Sequence, residues 1–343
     1  MSAAGNRVLV TGGTGFLGSW CVASLLERGY DVRTTVRDLG REGDVRSAVA
    51  GAGAVAGDRL EVVAADLGAE PGWAEAVAGC SHVLHVASPF PPKQPKDPDE
   101  LIVPAREGTL RVLRASLDAG VERIVVTSSV AAVRGGGPPR NGSTYTEEDW
   151  TDGDNTALTP YTRSKTIAER SAWAFVREAD AEDRLATVNP GAIIGPVLSG
   201  DRSFSIQVVE RLLKGMPAMP RFGFSFVDVR DVADLELRAM TDAQAAGKRF
   251  IATDRFLWMS EVAEVLRERL GDRARKVPTR IAPDLLIKAL GIVDASVRSF
   301  TGDLGKRPEY SNERARELLG WSPRPVEDSI AETGESVIRH GIV

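Results

Sequence analysis

A tyrosine and a lysine stand four residues apart in "TPYTRSKTIAERSAW", residues 159–173. On a helix that spacing puts Tyr161 and Lys165 on one face. A phenol ionises near pH 10, too high for efficient proton transfer at neutrality. A cation about 5 Å away contributes roughly 3 kcal/mol at an effective dielectric of ~20, or about two pKa units toward the working range. Such a pair can exchange a proton with a substrate oxygen. Alone, the spacing fits two polar residues on a solvated helix equally well, and only the surrounding chain distinguishes the two.

The first turn of the chain supplies the context. "TGGTGFLG" follows the short apolar run "RVLV" and leads into a helical pattern. Gly12 allows a tight turn, Gly15 lets the backbone approach a pyrophosphate, and Gly18 lets the helix pack close to the sheet. With Thr14, Phe16 and Leu17 between them, these glycines open a helix whose N-terminal N–H groups and partial positive charge suit phosphates. The spacing is GxxGxxG rather than GxGxxG.

The second apolar run ends "TTVRD", with Val36 where an NAD-binding chain carries an acid for the ribose. Arg37 follows, and a guanidinium matches a 2′-phosphate through paired charge-assisted bonds. Arg41 and Arg46 are candidate helpers, while Asp38 is the competing residue because it suits a ribose hydroxyl. The expected cofactor is NADP(H). Asp66 and Leu67, at the end of the third run, fall where the adenine edge would lie.

In that setting the tyrosine and lysine acquire a partner. "TSSV" ends the fifth strand at residues 127–130, and Tyr161 and Lys165 begin the following helix. Strand ends and helix starts on one side of a parallel sheet converge on the cofactor. Carbonyl reduction needs a hydride on carbon and a proton on oxygen. Ser129 would hold the carbonyl oxygen, Tyr161 would supply the proton, and Lys165 would tune it and bind the nicotinamide ribose.

The elements that position these groups alternate along the chain. Strands "RVLV", "DVRTTV", "LEVVAADL", "HVLHVASP", "RIVVTSSVAAV" and "LATVNPGAIIG" are separated by helical stretches. Continuous apolar strands between helices mean a parallel sheet covered on both faces. After Gly195 the rhythm changes to helices separated by proline-bearing loops. The expected fold class is α/β, a Rossmann-type doubly wound parallel sheet with a smaller C-terminal substrate lobe. The expected boundaries give residues 1–194 plus about 223–253 to the NADP-binding domain. Residues 195–222 and 254–343 would form the lobe that roofs the cleft.

Composition narrows the classes. The 343 residues are 43% hydrophobic and 27% charged, with a formal net charge of -5, which suits a globular core and argues against a nucleic-acid surface. Two cysteines, Cys21 and Cys80, are too few for a disulfide scaffold and fit a reducing compartment. His82, His85 and His340 form no metal-ligand pattern. The start has no signal-peptide pattern, and no stretch has the length and apolarity of a membrane span. The expected location is therefore cytoplasmic.

Together, the glycine turn, the strand-end serine, YxxxK, "NPGAIIGP" and "FVDVRDVA" make the chain resemble the extended short-chain dehydrogenase/reductase family along nearly its whole length. "GSWCVASLLERGYDVRTTVRD", "HVASP" and "YTEEDWTD" are similar to its dihydroflavonol reductase, cinnamoyl-CoA reductase and aldehyde reductase group. The resemblance implies catalytic roles for Ser129, Tyr161 and Lys165, and the 2′-phosphate for Arg37. It implies that Val86, Ala87, Ser88, Thr127 and Ser128 line the cofactor, and that Pro190, Gly191 and Ile193 hold its nicotinamide end. Three departures stand out. Glu107 precedes the "GT" where many members carry an asparagine, "FVDVRD" replaces "FVHLDD", and Arg134 replaces the amide of plant flavonoid reductases. A flavonoid substrate is not implied.

The expected activity is NADPH-dependent reduction of aldehydes or ketones, in a monomer or homodimer with no membrane partner. Ser88, Phe90, Arg134 and Phe224 are the substrate-side candidates, the phenylalanines as walls of an apolar slot. The rival readings are an NAD-dependent sugar-nucleotide epimerase or dehydratase, and an NADP-sensing protein without catalysis.

Overall fold

The structure is a computed structural model describing residues 6–89, 95, 97–135, 137–140, 142–198 and 203–343. Its first half alternates as follows: β1 (Arg7–Val10), α1 (Phe16–Glu27), β2 (Asp31–Val36), α2 (Glu42–Gly51), β3 (Leu60–Ala64), α3 (Trp73–Val77), β4 (His82–His85), α4 (Asp99–Asp118) and β5 (Arg123–Thr127). A short β6 (Thr144–Tyr145) precedes α5 (Pro160–Glu178), β7 (Leu185–Pro190) and β8 (Ala192–Ile194). Then come α6 (Phe204–Lys214), β9 (Gly223–Asp228), α7 (Val229–Thr241), β10 (Lys248–Ala252), β11 (Arg255–Trp258) and α8 (Met259–Leu270). The chain closes with α9 (Asp284–Val293), α10 (Ala295–Thr301), β12 (Glu309–Tyr310), α11 (Glu313–Leu319) and α12 (Val326–Arg339).

Seven strands form one parallel sheet in the order β10-β7-β5-β4-β1-β2-β3. The inner strands β1, β4, β5 and β7 bury both faces, which is why they read as largely apolar runs. In β1, Val8 and Val10 enter one core cluster, with α1, α2 and α7, while Leu9 enters the other, with α3, α4 and α5. The strand order reverses between β1 and β4, so the crevice at their carboxyl ends is the place such a sheet offers a ligand. The expected α/β doubly wound sheet is what the chain forms.

The run "LATVNPGAIIG", expected as one strand, is two. β7 stays in the main sheet, and at Gly191, packed against the Ser225 carbonyl, the chain leaves it. β8 then pairs with β9, and β9 with β11, in a separate three-stranded sheet. Of the segment 223–253 assigned to the nucleotide-binding part, β10 completes the main sheet and α7 lies on it, whereas β9 belongs to the small sheet. A third pairing, β6 with β12, ties the loop after β5 to the C-terminal region. Among the described residues no helix is long and apolar enough to cross a membrane.

One acid in this core has a measurable consequence. Glu236 on α7 is fully buried and accepts hydrogen bonds from the Thr127 hydroxyl and, at 3.3 Å, from the Cys21 thiol. Burial outweighs both donors and pushes its pKa up from 4.5 to about 7. The folded state therefore holds this proton longer than the unfolded chain does. Stability falls as pH rises from about 4.5 to about 7 and stays lower above that, by roughly 3 kcal/mol from this group. Glu236→Gln is expected to exceed the native protein in stability at pH 8 and to match it near pH 4, in urea unfolding at both values. An advantage independent of pH would contradict this account.

Candidate active site

The glycine turn is built to bring backbone close to a phosphate. Gly12 has φ +76°, a conformation that other residues adopt only with strain, and a side chain there would press on Ala87. A side chain at Gly18 would collide with the Gly12 carbonyl, so only glycine lets α1 sit this near the turn. The turn is fixed by Gly12 N–H donating to the Thr35 hydroxyl at 3.0 Å and Gly13 N–H to the Thr35 carbonyl at 3.1 Å. Gly15 N–H closes it on the Gly12 carbonyl at 3.0 Å. α1 then begins at Phe16 with no side-chain cap and no acidic residue in its first turn. The N–H groups of Phe16, Leu17 and Gly18 and the positive end of the helix are left for an anion. This cradle fits a dinucleotide pyrophosphate.

Around the end of β2 the charged residues sort themselves. Arg37 is exposed, and its guanidinium has no hydrogen-bond or ion-pair partner among the described residues. Asp38, its competitor in the sequence, accepts from Gly40 N–H at 2.9 Å and caps the following turn. Arg41 donates to Asp44 at 2.9 Å and to the Thr14 hydroxyl at 3.3 Å, which lays it against the glycine turn. Arg46 is held away by Glu42 and the Leu60 carbonyl. Two cations and no free carboxylate therefore border this corner, a set that fits a 2′-phosphate. Asp66 is exposed and folds back on Gly68 N–H at 2.7 Å, while Leu67 packs into the core beside Gly108.

At the carboxyl end of β5, Ser129 accepts from Ala131 N–H at 3.1 Å and so ends the strand. α5 begins where Thr159 caps it, accepting from Thr162 N–H at 3.2 Å, with Pro160 in its first turn. That start sets Tyr161 beside the strand end, and its phenol is hydrogen-bonded to the Ser129 side chain. The expected depression of the phenol by Lys165 is not what the structure has. Burial pushes Tyr161 up, and only the Ser129 bond works against it. Burial likewise pushes Lys165 down to about 8, opposed by the charge of Glu169. The lysine's own charge acts on His85, which burial first, and Lys165 second, hold at about 3.

Several groups here have no counterpart in the sequence reading. His85 Nδ1 lies 2.9 Å from the Thr11 hydroxyl, which also accepts from Ala87 N–H at 3.0 Å, so the ring ties β1 to β4 at the reversal of strand order. Asn189 on β7 donates to the Ser129 carbonyl at 3.2 Å and to Glu169 at 2.8 Å. Glu169 continues the Tyr161–Lys165 stripe by one more helical turn, the only hint of it in the sequence.

A small cavity brings together Ala87, Ser88, Thr127, Ser128 and Lys165, along with His85. The Ser128 hydroxyl, expected toward the cofactor, donates to Glu169 at 2.5 Å, and that of Thr127 is turned to Glu236. Val86 is partly buried against the main core, Pro190 is buried at the end of β7, and Gly191 and Ile193 follow as the chain enters the small sheet.

The substrate-side candidates are less coherent. Arg134 is ion-paired to Asp303 at 2.6 Å and hydrogen-bonded to Tyr310, so its guanidinium straps the loop after β5 to the C-terminal region. Phe224 meets Phe222 edge-on at 4.8 Å and Phe226 at 5.7 Å, and it packs against the main core cluster. It is not among the residues lining the cavity at Lys165. Phe90 lies outside the described residues.

Comparison with known proteins gives a consistent set. Residues 8–252 match the model of the NAD dependent epimerase/dehydratase family. A cinnamoyl-CoA reductase (CAD2) of Medicago truncatula is 37% identical over 338 residues, 97% of this chain and 96% of that protein. A dihydroflavonol 4-reductase of Zea mays is 35% identical over 276 residues, 77% of this chain and 74% of that protein. In fold, the chain superposes on Gre2 of Candida albicans in complex with NADPH with a TM-score of 0.80, at 25% identity, over 97% of this chain and 99% of that one.

Proposed function

Because the chain belongs to the NAD dependent epimerase/dehydratase family, we propose that within it this protein is an NADPH-dependent reductase, converting aldehydes or ketones to alcohols. The observation that carries this reading is the half-buried Tyr161 phenol bonded to Ser129, one helical turn from Lys165, at the carboxyl edge of the sheet. NADPH, when bound, supplies the hydride. Gly12, Gly15, Gly18 and the N-terminus of α1 hold the pyrophosphate, and Arg37 and Arg41 meet the 2′-phosphate. Val86, Ala87, Ser88, Pro190, Gly191 and Ile193 border the rest of the cofactor. Thr14, Thr127, Ser128, Asp66 and Leu67 contribute through backbone and packing.

The Ser129 hydroxyl orients the substrate carbonyl oxygen. Tyr161 gives that oxygen its proton. A phenol is already protonated at neutral pH, so Tyr161 has the proton to give; burial, which holds it above its usual pKa, makes the charge of Lys165 the more necessary for its release. Lys165 then stabilises the phenolate left behind and anchors the ribose. Residues 195–198 and 203–222 and the chain beyond about 254, with β9, form the substrate side of the cleft.

NADPH oxidation against a panel of aldehydes, ketones, keto esters and acyl-CoA thioesters tests the reading. Turnover is expected with simple carbonyls. Tightly retained NAD in the purified protein, with activity confined to nucleotide sugars, would replace it by the epimerase reading. We take the enzyme to act in the cytoplasm, a setting that two free, buried cysteines fit, as a monomer or homodimer.

The substrate class is read from the aromatic residues at the start of β9. Phe222 and Phe224 meet edge-on at 4.8 Å, Phe300 extends them at 5.2 Å from Phe222, and Phe226 behind them is fully buried in the core. With Ser88, which lines the cavity beside Lys165, as a further wall, this would make an apolar slot that gains about 0.8 kcal/mol per buried methylene. kcat/KM is expected to climb along a series of alkyl and aryl aldehydes, and to climb less steeply in Phe224→Ala. A flat series in the native enzyme would remove the slot.

A further inference from the structure

Glu169 is an acid the proposed chemistry does not use, yet it is built into the site more firmly than any group that does the chemistry. It is 1% exposed. Its Oε1 accepts from the Thr187 hydroxyl at 3.0 Å and Arg249 Nε at 2.7 Å. Its Oε2 accepts from the Ser128 hydroxyl at 2.5 Å, Asn189 Nδ2 at 2.8 Å and Arg249 Nη2 at 3.4 Å. Arg249 in turn donates to the Glu147 and Asp149 carbonyls at 2.6 and 2.9 Å and lies 3.6 Å from the centre of the Trp150 ring. One carboxylate thus joins α5, β5, β7 and β10 behind the cleft.

Two features separate it from a purely structural clamp. First, its donors lead to the reacting groups: Ser128 is the neighbour of Ser129, and Asn189 also holds the Ser129 carbonyl at 3.2 Å. Second, Glu169 lines the same cavity as Lys165, one turn away on the same helix face. The titratable or charged groups facing this lysine and acid are Tyr161 on α5, His85 from β4 and Arg249 from β10. Thr109 from α4, and Thr187 and Asn189 from β7, carry no charge.

Resting on the reductase reading, we propose that Glu169 is a positioning residue of the reaction. It fixes the Ser128–Ser129 turn through Ser128 and Asn189, and it is the counter-charge against which Lys165 keeps its proton. Burial alone drives this lysine toward the neutral form, and Glu169 is the charge that opposes it. The pair of effects explains why a full charge is kept in an interior where burying it is costly.

The test is the pH profile of kcat at saturating NADPH, with the best aldehyde of the panel, in Glu169→Gln and Glu169→Asp. Lys165 must be protonated, so activity falls as pH rises through its pKa. Removing the negative charge lowers that pKa, and the alkaline limb of Glu169→Gln is expected to move down by about one pH unit or more. Glu169→Asp keeps the charge but draws the carboxylate back from Ser128. It should leave the limb in place, keep the NADPH Kd, and lower kcat about tenfold, a magnitude typical of losing aligned geometry. An unmoved limb in Glu169→Gln, or a native kcat in Glu169→Asp, overturns the proposal. Should Glu169→Gln fail to fold, Glu169→Asp decides. If no carbonyl of the panel supports NADPH oxidation by the native enzyme, the reductase reading fails instead, and the two failures are distinct.

Discussion

Tyr161→Phe is expected to bind NADPH within about twofold of the native enzyme and to transfer hydride slower by a factor of about 10² or more. The ring stays, so the packing at the head of α5 stays with it. What goes is one oxygen, the atom bonded to the Ser129 side chain. Neither neighbour can replace it as donor. Ser129 is far too weak an acid, and Lys165, one helical turn along α5, is the group proposed to hold the ribose rather than the carbonyl oxygen. Lys165→Ala is therefore expected to fail differently, weakening cofactor binding as well as turnover. Stopped-flow traces with NADPH in excess separate the two. A hydride-transfer rate in Tyr161→Phe within threefold of native would remove the tyrosine from its role.

The glycine turn, the strand alternation and the meeting of Ser129 with Tyr161 were legible because each rests on one element or on a strand and the helix after it. A β1–turn–α1 unit is written in ten or so consecutive residues, and strand ends meet helix starts wherever the sheet is parallel. What the sequence hid is what comes together across the sheet. Glu169, Thr187, Asn189 and Arg249 lie on three elements, and no spacing links them. The His85–Thr11 contact needs β4 beside β1, which the order of strands in space, not along the chain, provides. Arg134 read as a substrate residue because it stands where plant flavonoid reductases carry an amide, but its partner Asp303 is 169 residues away. The phenol was read as acidified because the i, i+4 spacing brings a cation near. Spacing says nothing of how deeply the ring is buried, and burial prevails.

Arg37→Ala is expected to erase about tenfold to a hundredfold of preference for NADPH over NADH in kcat/KM. The chain has no acid at the end of β2 to meet a ribose hydroxyl: Val36 is there, and Asp38 is engaged by the backbone of its own turn. Arg37 is left exposed and without a partner among the described residues, a state that costs little in water and leaves the whole guanidinium for an incoming dianion. A charge-assisted bond of that kind is worth roughly 1.5–3 kcal/mol, which sets the size of the loss. The loss should fall on NADPH and hardly touch NADH, since NADH lacks the phosphate that Arg37 would meet. Arg41→Ala should show the same selectivity at smaller size, because Asp44 already neutralises part of that guanidinium. Measuring kcat/KM with both cofactors in the native enzyme and the two variants gives three NADPH-to-NADH ratios, expected highest in the native enzyme, lower in Arg41→Ala and lowest in Arg37→Ala. Equal loss with NADPH and NADH in Arg37→Ala would mean the arginine supports the fold of this corner, and equal use of both cofactors by the native enzyme would hand the ribose to Asp38.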